Sequence, residues 1–410
     1  MPELFGSFNV IRTPLLAVVC VLAVLSGCNK SKPLAPSAIG DLPVGSFGRG
    51  WTARLPLNAK ETIRDLHLRG DTVFAVTTAN RSFLLARTGG QITQLHTVKA
   101  SGPIRGPVVL KDRIVYPVST TLEQFDLNGK PIPHLDLEAA IRSNAVGEGE
   151  AIYLGVDSPR GGRLMSIDPS RTYTPARWEL LTFGGISSRP ATFQSIVYAA
   201  SEDGLIYAVN ESRAAVWPLR NGVYRTGGKV TADVIADDFG VYVASYDTKL
   251  ICLNRSTGKM KWQYFAGVAL AATPAVTAET VYQFVPGQGV VAINKLEGEY
   301  SRAPLWTAPG TTHFLGEDAT YAYLRTRDNY IVAVERTTGV SKFRSESAYD
   351  VFAANTTKDG VIYAARQDGT VFAINVIAKP GQVGQRAGIN GFQPIAVALV
   401  VHGPMWSSKN

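Results

Sequence analysis

The sequence predicts an all-β protein: an eight-bladed β-propeller of four-stranded antiparallel blades, its ring closed by an N-terminal strand. Three observations predict it. Aromatic markers at Phe74, Tyr116, Tyr153, Tyr198, Tyr242, Tyr282, Tyr323 and Tyr363 return in steps of 37 to 45 residues, the period of a four-stranded blade. Turn chemistry flanks most markers, as in Asp237-Asp238-Phe239-Gly240 before Tyr242 and Tyr246-Asp247-Thr248 after it, because Asp, Asn and Gly bend the backbone at low cost. A third turn follows a small-apolar-polar triplet and leads to a bulky aromatic residue, as in Ala292-Ile293-Asn294 before Trp306 and Ala333-Val334-Glu335 before Phe343. Three turns per period make four strands.

Met1 to Gly27 reads as a targeting segment. Arg12 supplies a basic flank, and Leu15 to Leu25 is an apolar run of eleven residues, short of the roughly 20 that a membrane span needs. It ends in Leu25-Ser26-Gly27-Cys28, which resembles a bacterial lipoprotein lipobox. That resemblance implies diacylglycerol on the Cys28 thiol and a membrane contact through it. Asn29, where enterobacterial lipoproteins retained at the inner membrane carry Asp, leans the expected location to the periplasmic face of the outer membrane. Residues 28–48, rich in Pro, Ser, Lys and Gly, read as a flexible tether.

The expected propeller spans residues 49–378. Trp51 to Leu57 is an orphan fourth strand, and open strand edges invite aggregation. It is expected to complete the last blade beside Thr370 to Asn375. Ile395 to Val401, in a basic C-terminal extension over 379–410, is the alternative closing strand. Trp178, Trp217, Trp262 and Trp306 are expected on fourth strands as blade-docking residues. Leu135 to Arg142 carries helix formers at helical spacing, so a short helix is expected between the second and third blades. The connections Phe183 to Arg189 and Arg220 to Gly228, with Arg105, are expected to present basic and aromatic groups on one face. Arg105, Arg189 and Arg225 are the candidate binding residues, since loops on a rigid scaffold are where binding concentrates.

Composition bounds the chemistry. Hydrophobic residues make 45% and charged residues 18%, as in a core-forming chain. The net charge of +8 comes without a dense basic run or recognition helix, so nucleic acid is not an expected partner. Of three cysteines, Cys20 leaves with the signal and Cys28 is lipidated. Cys252 remains alone as a core thiol, and no disulfide is available. The five histidines show no metal-ligand spacing, and neither a nucleophile elbow nor a phosphate loop is present. No catalytic residue, cofactor or metal is expected.

The clearest repeat, Cys252-Leu253-Asn254-Arg255-Ser256-Thr257-Gly258-Lys259-Met260-Lys261-Trp262, resembles the tryptophan-docking motif of quinoprotein-type (PQQ-like repeat) propellers. Quinone-dependent dehydrogenases of that group carry a vicinal Cys-Cys pair, calcium and a catalytic Asp. No adjacent cysteine pair occurs here, and neither the calcium ligands nor the Asp falls on a motif. Lipobox, tether, length and blade count together resemble the BamB family of outer-membrane assembly lipoproteins. This resemblance implies a non-catalytic, monomeric scaffold that contacts an envelope partner such as a β-barrel assembly complex. A quinone-dependent dehydrogenase or a sugar- or small-ligand-binding propeller is the alternative.

Overall fold

Second and third strands of each repeat read as continuous apolar runs, such as Val241-Tyr242-Val243-Ala244 and Leu250-Ile251-Cys252-Leu253. Such runs suit strands covered on both faces. A computed structural model, describing residues 39–376 except 46, 219–221 and 297–299, shows why. Each blade is a twisted four-stranded antiparallel sheet, to which blade 5 adds the short parallel strand Ser301–Arg302 on its outer edge; each is clamped between two neighbours, so its middle strands have no solvent side, and all eight residues of the two runs above are buried. First and fourth strands are only half covered. The sequence regions 1–38 and 377–410, with Cys28, the targeting segment and Ile395 to Val401, lie outside the described residues.

Seven blades follow in chain order over 63–97, 108–136, 146–182, 191–225, 235–265, 275–308 and 311–344, and the eighth takes 351–375 together with 48–54. All eight markers stand on second strands. The eighth blade is completed by Gly48–Arg54, which pairs antiparallel with Thr370–Asn375, Trp51 opposite Ala373 and Ala53 opposite Val371. The N-terminal strand therefore closes the ring. The chain before it is also engaged. Val44 bridges Arg344 in parallel, Gly45 N donates to Arg344 O at 2.9 Å and Arg344 N to Pro43 O at 3.0 Å. Phe47 packs edge-on to Tyr323 and Phe343. The last residues of the expected tether are thus pinned along the outer strand of blade 7.

Two expectations are corrected. Pro131–Asp136 is the fourth strand of blade 2, with Leu122 opposite Leu135, and an irregular connection replaces the expected helix. A blade lacking its fourth strand would leave its third strand bare. That demand outweighs local helix propensity, and Glu138 adopts φ 54°, outside the helical region. Leu135, Leu137 and Ile141 fill the core between blades 2 and 3 instead. The second correction concerns blade 4. Its fourth strand is Val223–Arg225, a stretch read from the sequence as a loop, and Trp217 stands in the extended segment before it.

The hydrophobic core is a set of eight clusters, one at each joint between blades. The turn after each third strand makes the joint directional. In blade 5, Asn254 Oδ1 accepts from Ser256 N and Thr257 N, both at 3.0 Å, and Gly258 supplies φ 67°, a left-handed conformation that costs glycine little. This tight turn aims the Arg255 carbonyl sideways, where Trp217 Nε1 of blade 4 donates to it at 2.7 Å. The same bond runs from Trp51 to Arg87 O, Trp178 to Glu211 O, Trp262 to Lys295 O and Trp306 to Arg336 O, at 2.7–3.1 Å. Two joints reach it without tryptophan. Gln94 donates to Leu127 O between blades 1 and 2, and Arg113 to Pro169 O at 2.9 Å between blades 2 and 3. Between blades 7 and 8 Phe343 holds the place, opposite Ala333, and has no donor to offer.

Gln94 also accepts from His96, whose Nε2 lies 2.9 Å from Gln94 Oε1 and whose Nδ1 lies 2.9 Å from the Tyr116 hydroxyl. With Gln94 donating onward to Leu127, this network assigns the proton to Nε2. Burial holds the imidazole neutral, down to about 4 from 6.5. The unfolded chain thus takes up a proton below pH 6.5 while the folded chain does not until near 4, so His96 stabilises above 6.5 and loses that contribution as pH falls. In urea melts at pH 7 and pH 5, wild type is expected to lose about 2 kcal/mol more stability than His96→Gln. Equal losses in both proteins would rule this out.

Candidate functional site

Antiparallel order puts connections between blades and the second-to-third-strand hairpins on one face of the ring. Arg105, Arg189 and Arg225 all belong to this face, at two radii. Arg189 lies two residues before Ala191, the partner of Tyr198, and Asp233 and Thr273 hold the same place before the partners of Tyr242 and Tyr282. These residues join blade to blade. Arg189 N donates to Asp233 Oδ1 at 2.9 Å, Asp233 N to Thr273 Oγ1 at 2.9 Å, and Val234 N to Arg189 O at 3.1 Å. Arg189 Nε also faces Asp233 Oδ2 at 3.5 Å. Arg105, in the connection into blade 2, turns its guanidinium to Ile141 O at 2.9 Å, and burial lowers its pKa, with Arg142 adding to the shift. Arg225 is exposed on an outer strand and reaches Asp203 O at 3.3 Å. The structure therefore brings Arg189 to the channel and leaves Arg225 on the rim.

Beside that rim lies a feature that sequence periodicity did not single out. Leu181 is 66% exposed and Phe183 is 85% exposed. Leu181 is the penultimate residue of the outer strand Ala176–Thr182, and Phe183 opens the connection to blade 4. The connection is held from below. Thr182 Oγ1 donates to Gly184 O at 2.8 Å, and Glu202 N to Gly185 O at 2.8 Å. Gly184 packs so closely on Asp203 that a Cβ there would come within 2.5 Å of its backbone nitrogen. The next connection repeats the device, with Gly227 N donating to Asp247 Oδ2 at 2.8 Å. Two large apolar side chains are thus displayed on a fixed backbone with Arg225 on the neighbouring blade, an arrangement suited to binding a protein surface. The sequence singled out the connection that Phe183 opens but not Leu181, because alternation carries no sign of the side that remains open.

The opposite face carries clamps. The residue whose carbonyl receives the docking bond often sends a cationic side chain back to the first hairpin of the previous blade. Lys295 Nζ lies 2.7 Å from Asp237 Oδ2, Arg336 NH2 2.9 Å from Glu279 Oε2, Arg255 NH1 2.8 Å from Gln194 Oε1, and Arg87 pairs with Asp359. The hairpin acids seen in the sequence are therefore partners across joints. Glu317, fully buried, accepts from Tyr282 at 2.9 Å and faces Arg336 Nε at 3.2 Å. Cys252 is a core thiol pushed up to about 12 by burial, inert as a nucleophile. Among the described residues no group of three or more His, Cys, Asp or Glu is placed to hold a metal, and no helix is long and apolar enough to cross a membrane.

The sequence family described as outer membrane protein assembly factor BamB matches residues 202–309, blade 4 to blade 6. No curated protein sequence matches the chain. Among solved structures, BamB from Moraxella catarrhalis superposes with a TM-score of 0.62 at 18% identity, covering 82% of this chain and 100% of that one. The computationally designed Ika8 protein gives 0.62 at 14% identity, covering 80% of this chain and 99% of that one. The chain is an eight-bladed propeller whose blades 4 to 6 are similar to that family, and at these identities the structural likeness speaks to the fold.

Proposed function

We propose that this propeller is a non-catalytic, lipid-anchored scaffold on the periplasmic face of the outer membrane, and that it assists outer-membrane protein assembly by holding an envelope partner such as a β-barrel assembly complex. The observation that carries the reading is the exposure of Leu181 and Phe183 on a connection braced by blade 4. The partial match to a family described as an assembly factor supports the kind of partner. The lipobox at Cys28 supports the anchor. The fold alone would not, since propellers serve unrelated functions.

Tagged protein recovered from mildly solubilised envelopes is expected to bring a stoichiometric partner, and Cys28→Ala is expected to reduce the yield by removing the anchor. Changing Leu181 and Phe183 together to Asp is expected to weaken recovery at least tenfold with an unchanged melting temperature, because both side chains are already in water. Arg225→Glu is expected to weaken it less, as a rim charge does. Undiminished recovery in the Leu181/Phe183 variant would place the partner elsewhere. Recovery of the propeller alone would remove the scaffold reading.

A further inference from the structure

Inside the ring, a cavity of about 710 Å³ meets a smaller one of about 200 Å³, and both are walled by Leu68, Arg69, Arg189, Asp233 and Ala354. Among the described residues, two guanidinium groups from separate blades thus stand at the junction with a single carboxylate. Asp233 is already engaged by Arg189, as described above. Among the described residues Arg69 donates only to carbonyls, Leu68 O at 2.9 Å and Pro107 O at 3.3 Å. Arg87 also borders the larger cavity but is neutralised by Asp359. The histidines bordering these cavities do not offset the excess. Burial first, and then neighbouring arginines, hold His67 near 4 and His313 below its ordinary value, so both are neutral at pH 7. His67 Nε2 is buried without a hydrogen-bond partner among the described residues.

The balance is one uncompensated positive charge in a partly desolvated channel. Burial and the nearby Arg189 depress Arg69 to about 10, which records the cost of keeping both guanidiniums charged there. A buried cation of this kind is stabilised by an anion that accepts its free N–H groups. The remaining wall of the larger cavity narrows the choice. Ile235, Val276, Phe284 and Phe314 line it, and the Phe284 ring lies parallel to His313 at 6.3 Å. Inorganic oxyanions would leave this apolar wall uncovered.

We propose that the channel binds a small organic monocarboxylate, its carboxylate between Arg69 and Arg189 and its apolar body against Phe284 and Phe314. The site does not depend on the partner-binding face. Its test uses Arg69, which lies within the channel, so failure here would leave the scaffold reading untouched.

Titration of the full-length protein with benzoate, followed by calorimetry and by thermal melting, is the direct experiment. Saturable binding is expected, with the neutral isostere benzamide at least tenfold weaker and inorganic phosphate weaker than benzoate. Arg69→Met and Arg69→Gln are each expected to weaken benzoate at least tenfold while melting in buffer no lower than wild type, since each removes an unpaired buried charge. Absence of saturation would overturn the proposal, as would equal binding of benzamide or unchanged binding in a folded Arg69 variant. Phosphate binding as tightly as benzoate would overturn the assignment of an organic ligand.

Discussion

Arg336→Met is expected to destabilise the propeller by about 3–5 kcal/mol, the usual cost of leaving a buried charge without its partner. Glu317 is fully buried between blades 6 and 7, with Arg336 Nε at 3.2 Å from its Oε2. Met keeps much of the length and apolar volume of the arginine, so lost packing is a small part of the effect. The same guanidinium reaches Glu279 of the preceding blade at 2.9 Å, but Glu279 is exposed and losing that contact costs little. The charge argument has its own control. Glu317→Gln in the Arg336→Met background is expected to restore most of the loss, because an amide can still accept from Tyr282 without needing a counter-ion. Urea melts of the single and double variants measure this. A loss below about 1 kcal/mol in the single variant, or no recovery in the double, would mean the pair is not a joint-holding element.

Ala53→Pro is expected to cost about 3 kcal/mol or more. Ala53 lies opposite Val371 in the closing strand. Leu55 N donates to Gly369 O at 2.9 Å, and the period of two in an antiparallel ladder gives the Ala53 amide the same inward orientation. Proline removes that donor in the middle of the only contact that closes blade 8 on its outer side among the described residues. The docking bond from Trp51 to Arg87 O, which ties blade 8 to blade 1, is carried by the same strand. Protease resistance of the 351–375 segment is expected to fall with stability. A Thr52→Val change, which keeps the donor and points outward, should be close to neutral. If both variants melt like wild type, ring closure does not limit stability.

Fold and site were legible to different depths. The aromatic marker could be counted because every second strand must fill the same slot between two blades, so Tyr242 and Tyr282 meet the same requirement. Closure by Trp51 to Leu57 was legible for the same reason: a fourth strand without a blade and a blade without a fourth strand define each other. The helix expected at Leu135 to Arg142 failed because spacing alone does not separate a helix face from a strand followed by a packed loop. Clamps such as Lys295 to Asp237 were hidden, since they join residues in adjacent repeats at a separation set by ring geometry. Arg189 was singled out from its loop, whereas Arg69, its companion at the junction of the two cavities, sits at the end of an ordinary-looking strand. Phe183 was placed in a displayed connection, whereas Leu181 could not be told from a core residue until the position of the outer edge was known.

The closing strand has a consequence for the order of events during synthesis. Arg54, at the end of that strand, meets Asp368 across a separation of 314 residues. The strand made first thus finds its partner last, after every other blade has emerged. Until then the segment and both open ends of the unfinished arc present bare backbone, the condition under which chains join one another. Contacts of such long range also slow the final step. A protein whose proposed work is attending unfinished barrels would itself pass through a stage in which its own circle waits to be sealed.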